Sequence, residues 1–341
     1  MNKYLSENSL TWLLEDSDPS IKYLTLRDIL SSTRAENEYE KILCTREIRA
    51  MMKSGKNSIL GSGKNFDVLY SGAMWCFCEA VERGLDKRSP VLVRTADFIA
   101  SAAQMPSGGF AINWKPKIEL SCRTGDMVRR FIKAGFTDER VTKGIEWILE
   151  HQRHDGGWLH CPISDSGDMI KLMLFRKPGK GLDREGDKRV TSCFYATISC
   201  AMALLEHRGT EEKVTRGIDR AAEFFLRHRL FLNSRNEIIR SKKQWNRDFR
   251  LLGYPVQSQY DILLGMIFIA RSGLFNDDRT GKAFNLIMEK QNSDGTWNLE
   301  NAQSGMMYGN CSRGILGRKN KWVTLNALRL LKYTGTLETP F

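Results

Sequence analysis

Apolar positions along this chain recur mostly at helical spacing, and no segment sustains the strict alternation of a half-buried strand. Amphipathic helices with one charged face are predicted at Val91–Gln104, Val141–His151, Val214–His228 and Gly281–Lys290. Between them lie helices with more small, aromatic and sulfur side chains and less charge: Asp67–Arg83, Cys122–Ala134, Val190–His207, Tyr260–Ala270 and Lys321–Tyr333. Val190–His207 is apolar nearly all round, as a helix buried on both faces should be. The alternation predicts inner and outer helices. Ahead of them, Asp18–Leu30 reads as a further helix packing on the rim, with Asp18 as its cap and Pro19 at its first position.

The outer helices end in a repeated turn. Gln152-Arg-His-Asp155-Gly-Gly-Trp158 and Gln291-Asn-Ser-Asp294-Gly-Thr-Trp297 both read Gln-x-x-Asp-Gly-x-Trp, and Ser107-Gly-Gly-Phe110 is a weaker copy. Gly61, Gly109 and Gly157 recur every 48 residues, the length of a two-helix unit with its loops. The expected architecture is all-α, about five to six helical hairpins stacked as an open solenoid or closed into a ring, and the strongly apolar C-terminal helix favours closure. It occupies 57–341, preceded by an N-terminal helical extension over 1–56. Residues 162–189, rich in Gly, Lys, Arg and Asp, read as an inserted surface loop.

Composition narrows the class. The chain has 341 residues, 41% hydrophobic and 27% charged, which excludes a disordered or fibrous protein. No apolar run is long enough to span a membrane, and the start shows no signal-peptide core, so a cytoplasmic location is expected. In that setting the eight cysteines are expected as thiols. Fifty-two Lys and Arg against 40 Asp and Glu leave +12, but the basic residues mostly alternate with acids, as on solvated helix faces. No nucleic-acid-binding pattern is present, so nucleic acid is not an expected partner. Peripheral membrane contact is compatible with the charge, and the oligomeric state stays open.

The Gln-x-x-Asp-Gly-x-Trp turns resemble the QW motif of squalene-hopene cyclases and other terpenoid cyclases, in the superfamily that also holds protein prenyltransferase β subunits. The strings Cys122-x-Thr124-Gly125, DGGW with Cys161, Ser192-Cys193, His228-Arg-Leu-Phe231 and Lys321-Trp322-x-Thr324-Leu325 resemble prokaryotic prenyltransferase/squalene-oxidase-repeat proteins. The likeness covers roughly 57 to 333. It implies a closed α/α toroid whose central cavity takes an apolar or isoprenoid-like small molecule. The acid motif of proton-initiated cyclases, Asp-x-Asp-Asp, is missing; Asp165-Ser-Gly-Asp168 and Asp183-Arg-Glu-Gly-Asp187 do not fit it. Asp277-Asp278 lacks the last acid of the magnesium motif and reads as a helix cap. The resemblance therefore carries fold more than activity.

In such a ring all inner helices begin at one end. That gathers Cys122, Cys161 and Cys193 at one mouth, with His160 as a fourth donor, a set that suits zinc. Redox-active thiols and plain core cysteines are the other readings. The same end collects Asp67, Tyr260 and Asp261, of which Asp67 and Asp261 are candidate general acids if burial raises their pKa. Tyr70, Trp75, Phe131, Tyr195, Lys321 and Trp322 are candidate substrate contacts. Two functions compete. One is a terpenoid cyclase- or prenyltransferase-like enzyme with a zinc or thiolate site at one mouth. The other is a non-catalytic toroid that binds a lipid or a peptide.

Overall fold

The computed structural model describes residues 7–56, 58–113, 117–159, 191–209, 211–233, 235–239, 248–255, 257, 259–302 and 314–337. They form an all-α ring, with a single small antiparallel pair among them, β1 (Ala111–Ile112) with β2 (Ile118–Glu119). The helices are α1 (Glu7–Leu13), α2 (Pro19–Leu24, continued by a π-helical turn Thr25–Ile29), α3 (Glu36–Leu43), α4 (Arg46–Ser54), α5 (Ala73–Glu82), α6 (Pro90–Ala103), α7 (Ser121–Lys133), α8 (Glu139–Glu150), α9 (Phe194–His207), α10 (Glu212–Arg227), α11 (Ile262–Arg271), α12 (Gly281–Glu289) and α13 (Lys321–Tyr333).

Inner and outer helices alternate as the hydropathy pattern predicts. Hairpins α5–α6, α7–α8, α9–α10 and α11–α12 pair an inner helix with an outer one, and α5, α7, α9, α11 and α13 pack side by side. The ring closes through the first helices. α13 packs on α2 and its π-turn, where Arg329 pairs with Asp28 and Lys332 Nζ donates to the Asp28 carbonyl at 2.8 Å. Tyr23 of α2 in turn lies against Gly84, just after α5. Asp18 caps α2 through the amides of Ser20 and Ile21, with Pro19 at the first position, as the sequence predicts.

The closest crossing is α7 on α9. A Cβ at Gly125 would lie 2.4 Å from the Ser199 backbone, so only glycine lets the two helices meet. Two predicted starts move by several residues, and the helix expected from Val190 begins at Phe194. The first inner helix starts at Ala73 rather than Asp67, because the chain folds back so tightly that a Cβ at Gly72 would sit 2.3 Å from the Phe66 carbonyl oxygen. Among the described residues no helix is long and apolar enough to cross a membrane.

One turn design feeds the inner helices. Gln152 Nε2 donates to the carbonyls of Gly156 and of Gly217 on α10, both at 2.9 Å, locking the end of one outer helix to the next. The Trp158 indole is fully buried, and its Nε1 returns to the Ile148 carbonyl at 2.8 Å. Its amide donates to Thr197 Oγ1, near the start of α9, at 3.1 Å. Trp297 repeats the pattern on Ile287 and Thr324, and Phe110 donates its amide to Thr124 Oγ1. Gln104 bonds the Gly108 and Arg140 carbonyls, so Gln104-x-x-Ser107-Gly108-x-Phe110 is a third copy of the same geometry. Gly156 is obligatory: its φ is +91°, and a Cβ would meet the Arg220 carbonyl at 2.1 Å.

Candidate functional site

The residues singled out from sequence lie mostly around the end where inner helices begin, and there they are largely engaged in structure. Asp67 Oδ2 accepts the Asn113 amide at 2.9 Å, bracing the loop ahead of α5. Tyr70 and Trp75 pack together with ring centroids 5.6 Å apart, and the Arg123 guanidinium lies 5.0 Å over Trp75. Beside them is a void of only about 10 Å³. Tyr260 donates its hydroxyl to the Leu230 carbonyl at 2.7 Å and stacks on Phe225. Burial pushes its phenol well above the ordinary value, so it is held as a neutral core group. Tyr195 meets Phe249 edge-on at 5.7 Å. Lys321 bonds Glu15 and Ser17, and Trp322 stacks on Tyr254. Phe131 is a fully buried core ring between Phe77, Phe110 and Phe136.

Two of the four expected zinc donors are described. Cys122 is buried in the first turn of α7, and Cys193 stands at the N-cap of α9, its amide on the Trp158 carbonyl. His160 and Cys161 lie outside the described residues. Two thiols are too few for a tetrahedral zinc site, and among the described residues no group of three or more His, Cys, Asp or Glu could hold a metal.

Asp261 is the expected residue that reaches a cavity. This cavity, of about 200 Å³, lies among the inner helices, all five of which contribute to its lining together with the π-turn. One side is a stripe of α11, Leu264, Ile267 and Arg271, spaced three and four apart so that all three face inward. Asp261 is at the start of that helix and Arg271 at its end, about 15 Å apart at 1.5 Å per residue. Leu263 and Met202 add apolar surface to the middle. The far end is charged and is formed where inner helices finish: Glu82 of α5, Arg129 and Lys133 of α7, Glu206 of α9, Arg329 of α13, and Arg27 with Asp28 of the π-turn. Among the described residues the lining holds one aromatic ring, Tyr333, and none of the candidate substrate contacts Tyr70, Trp75, Phe131, Tyr195, Lys321 and Trp322 is part of it.

The electrostatics of the two ends differ. Asp261 caps α11: Oδ1 accepts the Leu264 amide at 2.8 Å and Oδ2 accepts the Gly253 amide at 3.0 Å. Burial outweighs these bonds and pushes its carboxyl up to about 6. At the other end, burial alone would raise the Glu82 and Glu206 carboxyls. Their cationic neighbours win, holding Glu82 well below the ordinary range and Glu206 at about 2. Arg271 grips Glu206 with two bonds, at 2.7 and 2.9 Å, and Lys133 holds Glu82 at 3.0 Å. Burial brings the Lys133 ammonium down to about 8.

Arg129 is left over. It is 9% exposed, its nearest carboxylates are Glu206 at 3.8 Å and Glu82 at 3.9 Å, and its Nε has no hydrogen-bond partner among the described residues. Burial, with Arg130 next to it, depresses its pKa. A cation near the carbonyls of a helix C-terminus gains about 0.3–1 kcal/mol, and ~2 at most. Leaving a guanidinium without a close counter-charge in the interior costs several kcal/mol. Helix-dipole compensation alone therefore does not account for Arg129.

Sequence reasoning missed this charged end. The available signal was charge on helices read as inner: Arg129 in α7, Glu206 at the end of α9, Arg271 at the end of α11 and Arg329 in α13.

No protein-family profile matches the sequence, and no curated relative does. Among solved structures, a variant of type II terpene cyclase MstE from Scytonema, in complex with geranylgeranyl dihydroxybenzoate, is 13% identical at a TM-score of 0.47, covering 94% of this chain and 88% of that one. A variant of the same cyclase with merosterolic acid A is 14% identical at 0.46. The Lin0763 protein of Listeria innocua is 10% identical at 0.49, covering 96% and 95%. At such identities the chemistry has to be argued from this chain's own residues.

Proposed function

We propose that this chain is a terpenoid-cyclase-like enzyme that binds a short isoprenoid-like substrate in this cavity, with Asp261 as its general acid. One observation carries the reading: a carboxyl pushed up to about 6 lies at the end of a cavity with apolar walls along α11. Such a group is proton-loaded for part of the time near neutral pH, as acid catalysis needs. The size of the cavity favours a short substrate. About 200 Å³ is somewhat more than the ~150 Å³ that admits benzene, and less than the ~300 Å³ at which drug-sized pockets begin. With one aromatic ring in the lining, cation–π stabilisation of an extended carbocation is not what these walls offer, so a single protonation suits them better than a long cyclisation cascade.

The test is product formation from short prenyl alcohols and prenyl phosphates, followed by gas or liquid chromatography with mass detection. Asp261→Asn keeps the cap on Leu264 and removes the proton, so turnover should fall by about 10²–10⁴-fold. Product from wild type that is unchanged in the variant removes Asp261 from the chemistry. The competing reading, a non-catalytic lipid- or peptide-binding toroid, is favoured by one feature: both Asp261 oxygens already accept backbone amides. Under it, prenyl compounds bind and are recovered unaltered. The four-donor zinc site also stays a proposal. Elemental analysis of wild type beside Cys193→Ser tests it: about one zinc per chain, lost in the variant, supports it, and none in either removes it.

A further inference from the structure

We infer that the charged end of the cavity is an oxyanion site, built to take a phosphate or carboxylate group whose apolar body lies along α11. The inference rests on reading the cavity as the substrate site and names the chemistry of the substrate's head. Five cations line the cavity, Arg27, Arg129, Lys133, Arg271 and Arg329, against four carboxylates, Asp28, Glu82, Glu206 and Asp261. The pairing accounts for every cation except one. Asp28 takes Arg27 and Arg329, Glu206 takes Arg271, and Glu82 takes Lys133. Arg129 remains, buried at the wall of the cavity with no carboxylate closer than 3.8 Å. A planar guanidinium has five donors in a fork that matches the oxygens of phosphate or carboxylate. Lys133, four residues on, shares its helix face and supplies a second, compact charge. An anion placed against Arg129 would meet the one charge that this pairing leaves without a close carboxylate, with Lys133, held by Glu82 at 3.0 Å, beside it. The apolar middle of the cavity sets the direction of the rest of the ligand, from the arginines toward Asp261.

The experiment is calorimetric titration of the intact chain with sodium phosphate and, separately, with sodium acetate, at constant ionic strength. The variants are Arg129→Gln and Lys133→Gln, with the exposed Arg216→Gln as control. Wild type and the control should bind one anion per chain with the same affinity. Losing a charge-assisted bond should weaken binding by at least about tenfold in Arg129→Gln. Thermal melts establish that each variant folds, and Lys133→Gln serves in place of Arg129→Gln if the latter does not. Tighter phosphate supports a phosphate head, and tighter acetate a carboxylate head. No saturable binding of either anion overturns the proposal, as does equal affinity in the cavity variants and the control. Its failure is distinct from failure of the catalytic reading. Anion binding with no turnover of any prenyl compound removes the enzyme and keeps the site, whereas turnover with no anion binding does the reverse.

Discussion

The turns that feed the inner helices and the cavity where those helices finish are both buried, yet they treat polar groups in opposite ways. At the turns the recurring donors have near partners: the Trp158 and Trp297 indoles reach the Ile148 and Ile287 carbonyls, and Gln152 bridges two carbonyls. At the cavity, Arg129 is enclosed with long ion pairs only, and Asp261 carries a proton more readily than an ordinary carboxyl. Satisfied buried groups fix a fold, and unsatisfied ones store free energy that a ligand can release. The contrast supports reading the turns as scaffold and the cavity, from Asp261 to the charged end, as the proposed site.

Three substitutions test that division. The largest effect is expected at the turns. Trp297→Ala removes a fully buried indole together with its bond to Ile287, so urea unfolding should show a loss of about 3–5 kcal/mol. A loss below about 1 kcal/mol would mean that the turn does not brace the ring.

The second effect lies in pH. The folded pKa of Asp261, about 6, stands above the ordinary aspartate value of 3.8, so between these values the folded state holds more protons than the unfolded one. The contribution of the neutral acid is therefore fully present below about pH 4 and is lost as pH rises through 6. At about 1.4 kcal/mol per pH unit across that interval, the swing is about 3 kcal/mol. Glu206, held at about 2, works in the opposite sense, and its contribution is lost as pH falls from the ordinary carboxylate range toward 2. Unfolding free energies at pH 4.5 and 6.5 should thus differ between wild type and Asp261→Asn, with wild type losing more on going up. Parallel curves would place Asp261 in an ordinary environment.

The smallest effect is expected at Arg129. Arg129→Met removes a buried charge with no close partner, so stability should change by less than about 1 kcal/mol or rise. A loss of ~3 kcal/mol or more would show that the long ion pairs to Glu82 and Glu206 are structural and would erase the contrast between the two ends.

Much of the scaffold is legible in the sequence because its signals are local. The Gln and Trp of each turn stand six residues apart, Asp18-Pro19 opens a helix, and Val190–His207 has no polar face. Even the third turn was within reach, since Gln104 stands at the same spacing from Phe110 that Gln152 has from Trp158. The start of α5 was not, because Gly72 must pack against Phe66 for reasons of chain path that hydropathy does not record. Nor was the site. Arg129, Glu206, Arg271 and Arg329 look like solvated charges in a linear reading, and only closure of α13 onto α2 turns them toward one cavity. Asp261 could be read as a helix cap and a candidate acid, but the cavity that it reaches is lined by side chains of five other elements of the ring.

The central claim is that the cavity holds a carboxyl poised between its two forms. The most direct measurement is a carbon-detected NMR titration of aspartate-labelled protein, with Asp261→Asn supplying the assignment. The account predicts that the Asp261 carboxyl titrates near 6 and moves lower when a cation is added beside it through Leu264→Lys. A value at or below about 4 in wild type would contradict it, and would leave Asp261 as a helix cap that happens to face a cavity.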